Sequence, residues 1–158
     1  MTDKPKRIVY WDSDAFLGLI NGEADKINEC DEVWREAQQS RFQIVTSTLT
    51  IAEVIFMKGV PKLDPAKRPI VTAFFRSGWI VMRPVTRSIA ELARDVVWDN
   101  AIKPKDAIHI ASAAADKIAE MHSFDGDLIN KSPVNVAGFS VAITRPCGTG
   151  EIPLPLAP

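Results

Sequence analysis

Two patterns of apolar residues alternate along the chain. Short, nearly continuous runs, RIVYW (7–11), QIVTS (43–47) and WIVMR (79–83), are β-prone and resemble strands of a sheet covered on both faces. AEMHS (119–123) and FSVAIT (139–144) read as two further strands. Between them, Ile27, Cys30, Val33, Trp34 and Ala37 fall at helical spacing, and LTIAEVIFMK, DPAKRPIVTAFF, TRSIAELARDVVW and KPKDAIHIASAAA each read as a helix. Asp64, which precedes Pro65, and Thr86 are suited to cap two of these helices. Strands alternating with helices predict a parallel sheet with right-handed crossovers and helices on both faces, an α/β/α sandwich of three layers.

Length and composition narrow the class. A chain of 158 residues suits one domain, here expected over 1–146, and can bury roughly two-thirds of its unfolded surface. The last stretch, CGTGEIPLPLAP (147–158), has too much proline and glycine for helix or strand and is expected to form an extended tail. Neither an apolar leader nor a run of about 18 apolar residues is present, so a cytoplasmic protein with no membrane contact is expected. Cys30 and Cys147 lie far apart in no metal-binding spacing and suggest neither a disulfide framework nor a zinc site.

The net charge of -1 conceals an uneven distribution. From Lys58 to Lys105 there are ten Lys and Arg against four Asp and Glu, +6, which leaves 9 minus 16, or -7, for the rest. Such a division suits a polyanion-binding surface beside a carboxylate-lined site, and equally suits solvated helix faces.

In a parallel α/β sheet, ligands collect at the carboxyl ends of the strands. Four chain segments deliver acids there. Asp12 and Asp14 follow the first strand in VYWDSDAF, Glu53 follows the second in TSTLTIAEV, Asp106 sits in the first turn of its helix, and Asp125 and Asp127 close a strand in HSFDGDL. Each has a purely structural explanation: Thr50 to Glu53 fits a capping box, Asp106 complements a helix dipole, and DGD is turn chemistry. Together they would repel, and a shared cleft would have to take up protons or hold a cation. Mg²⁺, which accepts oxygen ligands and keeps several waters, resolves that conflict with few carboxylates. The alanines at 107, 111 and either 114 or 115 would let the helix lie close to the sheet and carry Asp106 toward Asp12. His109, one turn after Asp106, reads as a packing histidine that could also donate to a carboxylate.

The segments IVYWDSDAFLGLI, TSTLTIAEV, KPKDAIHIASA and MHSFDGDL, in this order and spacing, resemble the four acidic motifs of the PIN domain family, and most closely its small bacterial VapC-like toxins. The resemblance spans residues 8 to about 146. It implies a PIN-like fold and a Mg²⁺- or Mn²⁺-dependent ribonuclease, the toxin of a toxin–antitoxin pair. It also implies an RNA substrate, a cognate antitoxin and a homodimer. Asp12, Glu53, Asp106 and Asp125 would be the catalytic, metal-holding quartet, with Ser13 and Ser123 in the family's small hydroxyl positions. Asp14 and Asp127 depart from the family pattern, so which member of each aspartate pair faces the metal stays open. Lys67, Arg68, Arg76, Arg83, Arg87 and Arg94 are candidates for the RNA backbone, Arg83 and Arg87 foremost. Two alternatives are a phosphatase resembling the haloacid dehalogenases, with Asp12 as nucleophile and Asp14 as acid, and a non-catalytic RNA-binding module on the same fold. The first leaves Glu53 and DAIHIASA unexplained.

Overall fold

A computed structural model of the chain describes residues 6–54 and 64–148. Six strands, β1 (Arg7–Trp11), β2 (Phe42–Ser47), β3 (Ile80–Arg83), β4 (Glu120–His122), β5 (Val134–Val136) and β6 (Phe139–Thr144), form one sheet in the order β3-β2-β1-β4-β6-β5. All neighbouring pairs are parallel except β5 with β6. The expected parallel sheet is therefore mostly parallel, with an antiparallel strand at one edge. That edge is a hairpin turned at Ala137 and Gly138, both at positive φ, where Asn135 Oδ1 accepts from the Gly138 N–H at 3.0 Å.

Helices cover both faces. β1 shows why: Val9 and Trp11 point into one core, packed with α1 (Ser13–Ile20), α2 (Ile27–Gln38) and α4 (Arg68–Phe75), while Tyr10 points into the other, packed with α5 (Arg87–Asn100) and α6 (Pro104–Ala115). The first core is aromatic: Trp34 stacks on Phe74, with ring centroids 4.2 Å apart, and Phe16 meets Phe75 edge-on. The second is built on small residues. Ala107, Ala111, Ala113 and Ala114 are buried on α6, and Ala115 alone of the expected alanines is exposed. Glycine does similar work on α1: a Cβ at Gly18 would stand 3.1 Å from Cys30 Sγ and from a Phe124 ring carbon, so the bare backbone lets α1 approach its neighbours.

Local chemistry accounts for the helix ends. Thr86 caps α5 through the Ile89 N–H, and Asp64 accepts from the Ala66 N–H at the start of a short 3-10 turn (Pro65–Lys67) that leads into α4. The single helix expected from DPAKRPIVTAFF is thus two pieces, because Pro69 withholds an N–H just where α4 starts. α3 (Thr48–Glu53) is the start of the helix expected from LTIAEVIFMK; the rest of that segment, past Val54, lies outside the described residues, as do residues 149–158 of the expected tail. α7 (Gly126–Asn130) completes the set. Among the described residues no helix is long and apolar enough to cross a membrane.

Because Ala111 is fully buried between α6 and the sheet, Ala111→Leu should overpack that interface and cost about 1–3 kcal/mol. The expected result is a lower urea midpoint at an unchanged slope; an unchanged midpoint would show that α6 does not lie close.

Candidate active site

The carboxyl ends of β1, β2 and β4 and the amino end of α6 meet at one edge, and each brings an acid. Asp12 directly follows β1 and caps α1, its Oδ1 accepting from the Ala15 N–H at 3.1 Å. It is 3% exposed. Burial, then the charge of Asp14, pushes its carboxyl up to about 7, against the pull of His109 and of hydrogen bonds from Ser123 and Ala15. Asp14, in the first turn of α1, is also raised, first by burial and then by Asp125 and Glu53, with Lys26 pulling the other way. Burial likewise raises Asp106, with Asp125, Asp14 and Glu53 adding to it and His109 opposing. Asp125 caps α7 through the Asp127 N–H and takes an N–H···O bond of its own to the Ser123 hydroxyl. Five carboxylates, Asp12, Asp14, Glu53, Asp106 and Asp125, thus act on one another electrostatically.

Glu53 arrives differently from expectation. Thr50 is not a helix cap: Ser47 precedes α3, and the Thr50 hydroxyl is spent on Thr46 at 2.7 Å. Glu53 is the last residue of α3, and its Oε1 lies 2.5 Å from His109 Nε2. The other ring nitrogen of His109 meets the Tyr10 hydroxyl at 2.7 Å. His109 is 1% exposed, and burial alone would discharge it. Tyr10, the Glu53 hydrogen bond and the charges of Asp12 and Glu53 outweigh that and hold its pKa up at about 10. It is both a satisfied packing residue and an interior cation among the acids. Tyr10 and Lys26 went unmarked in the sequence; Tyr10 lies inside an apolar run and Lys26 in a charged turn just before α2, so neither carried a signal.

The remaining candidates are dispersed. Ser13 opens α1, half-buried beside Asp12. Asp127 is exposed and lines a cavity with Asp106 and Asp125. Arg83 pairs with Asp116 at 2.9 Å, ten residues along from Asp106, which is about 15 Å of helix axis. Arg87 pairs with Glu91 at the opposite end of α5 from the acids. Neither arginine is brought to the carboxylates.

Two sets of side chains bear on metal binding. Among the described residues, Glu120, His122 and Cys147 are the only trio whose potential ligand atoms all lie within 4.8 Å of one another. Trp11 Nε1 donates to His122 Nδ1 at 3.0 Å, so the ring hydrogen sits on Nε2, which donates to Glu120 at 2.9 Å. With Arg7 also bound to Glu120, this trio is a closed hydrogen-bond network with no histidine lone pair left for an ion. The edge acids are the better fit. Their donor set is all carboxylate oxygen, burial and mutual repulsion disfavour their charge, and His109 and Lys26 offset that only in part. Their wider spacing suits a hard divalent ion that retains water ligands.

The PIN domain family profile matches residues 9–132. No curated protein sequence matches. Among solved structures, the chain is similar to VapC20 of Mycobacterium tuberculosis, a toxin that cleaves the sarcin-ricin loop, with a TM-score of 0.60 at 16% identity over 78% of this chain and 95% of that one. It is similar to a toxin–antitoxin complex from Klebsiella pneumoniae, with a TM-score of 0.58 at 17% identity over 89% of this chain and 98% of the other. The third is VapBC2 of Rickettsia felis bound to a promoter DNA fragment, with a TM-score of 0.60 at 11% identity over 87% of this chain and 98% of the other. At these identities the likeness is one of fold.

A stability test follows from Asp12. Its pKa is about 7 in the fold against an ordinary 3.8, so folding takes up a proton between those values. The contribution to stability is present in full below about pH 4 and is lost as the pH rises through about 7. Asp12→Asn removes that loss while keeping a capping oxygen. In EDTA it should raise stability by roughly 1–3 kcal/mol at pH 8 and leave it unchanged near pH 4, read by urea unfolding. A variant equally destabilised at both pH values would show that the buried carboxylate is not under electrostatic strain.

Proposed function

The chain belongs to the PIN domain family, and from that premise we propose that it is a divalent-metal-dependent ribonuclease, the toxin of a toxin–antitoxin pair. The observation that carries this reading is the gathering of five carboxylates from four chain segments at one edge, three of them with raised pKa values. Family membership takes in Glu53 and DAIHIASA, which a phosphatase built on Asp12 and Asp14 left without a role.

Asp12, Asp106 and Asp125 would hold Mg²⁺ or Mn²⁺, with Asp14 and Glu53 within electrostatic reach. Bound there, the ion supplies Lewis acidity toward a phosphate oxygen and a water made acidic enough to attack at neutral pH. The protein's own groups do the positioning. Ser123 holds Asp12 through one hydrogen bond and the Asp125 backbone through another, fixing two acids from one hydroxyl. His109 engages Glu53 at Oε1 and leaves Oε2 to orient the attacking water and receive its proton. Tyr10 fixes the histidine ring, so the orientation of Glu53 is set from the sheet.

A ribonuclease of this kind requires restraint in its host, and we infer a cognate antitoxin that covers the acidic edge, a homodimer, and action in the cytoplasm. The Klebsiella and Rickettsia complexes, in which proteins of this fold occur with antitoxins, support the partner. Lys67, Arg68, Arg76, Arg83, Arg87 and Arg94 supply diffuse attraction to the RNA backbone rather than contacts at the cut.

Purified protein freed of any partner should cut total cellular RNA into discrete fragments with Mg²⁺ or Mn²⁺, and EDTA should abolish this. Asp106→Asn should lose at least about 10²-fold in rate while remaining folded, since one ligand charge is gone. An active, folded Asp106→Asn protein would refute the site. Binding of RNA to that variant should weaken steeply between 50 and 200 mM salt, on the order of tenfold or more; a flat salt series would remove the basic residues from the interface.

A further inference from the structure

Beside the acids, between the α5–α6 turn and α7, lies a cavity of about 260 Å³. Exposed Ala101, over the edges of buried Ile102 and Leu128, supplies its apolar lining, Lys103 and Lys131 its cations, and Asp127 joins Asp106 and Asp125 as its acids. The walls are tied to each other. Lys131 Nζ donates to the carbonyls of Asn100 at 3.1 Å and Ala101 at 2.8 Å, fastening the residue after α7 to the end of α5. Ala101, in the left-handed conformation at φ 54°, turns the chain so that Ile102 is buried and Lys103 faces outward. Such a cavity is preformed, so a ligand does not have to order it.

The Lys103 ammonium is exposed with neither a hydrogen bond nor an ion pair among the described residues, and the Asp127 carboxylate likewise has no partner there. The cavity therefore offers a free ammonium, a free carboxylate acceptor and an apolar surface. It is somewhat smaller than the pockets of about 300 Å³ and more that take drug-sized ligands, and of a size for one base with its sugar. A nucleotide answers all three features: phosphate for Lys103, an N–H donor for Asp127, and a base for the apolar surface at Ala101.

We propose that this cavity is a subsite for the single nucleotide adjoining the cleaved bond, with Lys103 on its phosphate and Asp127 accepting from an N–H donor on its base. The proposal rests on the ribonuclease reading. It assigns Asp127 to substrate selection and leaves the metal to Asp125, and it gives the enzyme a preference for one base at one position relative to the cut.

The test is direct binding. The four nucleoside 5′-monophosphates, with inorganic phosphate as control, are titrated in EDTA into the Asp106→Asn protein, followed by backbone amide NMR. Saturable shifts are expected at Ala101–Lys103 and Asp125–Lys131, with one base bound more tightly than the others. Adding Lys103→Ala should weaken that binding by about tenfold, and adding Asp127→Ala should level the four bases. Sequencing of fragment ends should show that Asp127→Ala in the otherwise wild-type protein broadens the base preference at the cut. Shifts produced equally by inorganic phosphate, no saturable shifts at these residues, or an unchanged cut preference in Asp127→Ala would each overturn the subsite. Binding needs no turnover, so the two readings fail separately: cleavage without nucleotide binding removes the subsite, and nucleotide binding without cleavage removes the nuclease.

Discussion

Carboxylates taken out of water beside one another must gain protons or cations, and this fold supplies one cation from within its own core. His109 is buried on α6, bonded on one side to Tyr10 of the central strand and on the other to Glu53 of α3, with Asp12 close enough to favour its charge. It offsets part of the repulsion at the edge without neutralising it, since Asp12, Asp14 and Asp106 stay raised. Remove that residue and three elements lose their common anchor. The alanines of α6 serve the same end, because only a helix that lies close to the sheet can pass a histidine ring to Tyr10.

Much of this was legible in the sequence, for reasons that can be stated. Apolar runs covered on both faces are unambiguous in RIVYW and QIVTS, and the acids stand directly after strands or in a first helical turn, where the topology gathers them. What escaped was of shorter range or longer reach. β5 spans three residues, too few to show a period, and only the hairpin turn at Ala137 and Gly138 marks it. Glu53 matched a capping box by spacing alone, and the contact that defines it is with a residue 56 positions away. For Arg83 and Arg87 the run of charge is visible in sequence, whereas their ion-pair partners, Asp116 and Glu91, emerge only in the fold.

The second polar cluster shows how ligand-type residues can be brought together without making a ligand site. His122, Glu120 and Cys147 have suitable chemistry and suitable distances. The indole N–H of Trp11 decides the tautomer, and with it the fate of the cluster. Bonded to Arg7 on its far side, Glu120 has its carboxyl held below the usual range; burial pushes the other way, but the hydrogen bonds from His122 and Arg7 prevail. One network carries charge that is satisfied, and the edge carries charge that is not.

The strand order has a consequence for when the edge can exist at all. Trp11 and His122 are register partners 111 positions apart, so Asp12 and Ser123 become neighbours only when β4 has slotted in beside β1. During synthesis, at about 5–20 residues per second, the ribosome must deliver nearly the whole domain before the last acid, Asp125, is available. A growing chain can therefore hold β1, β2 and α6 and still lack the assembled edge. The topology makes the acidic edge one of the last features of the domain to form, because the strand that completes it is inserted beside β1 from the far end of the sequence.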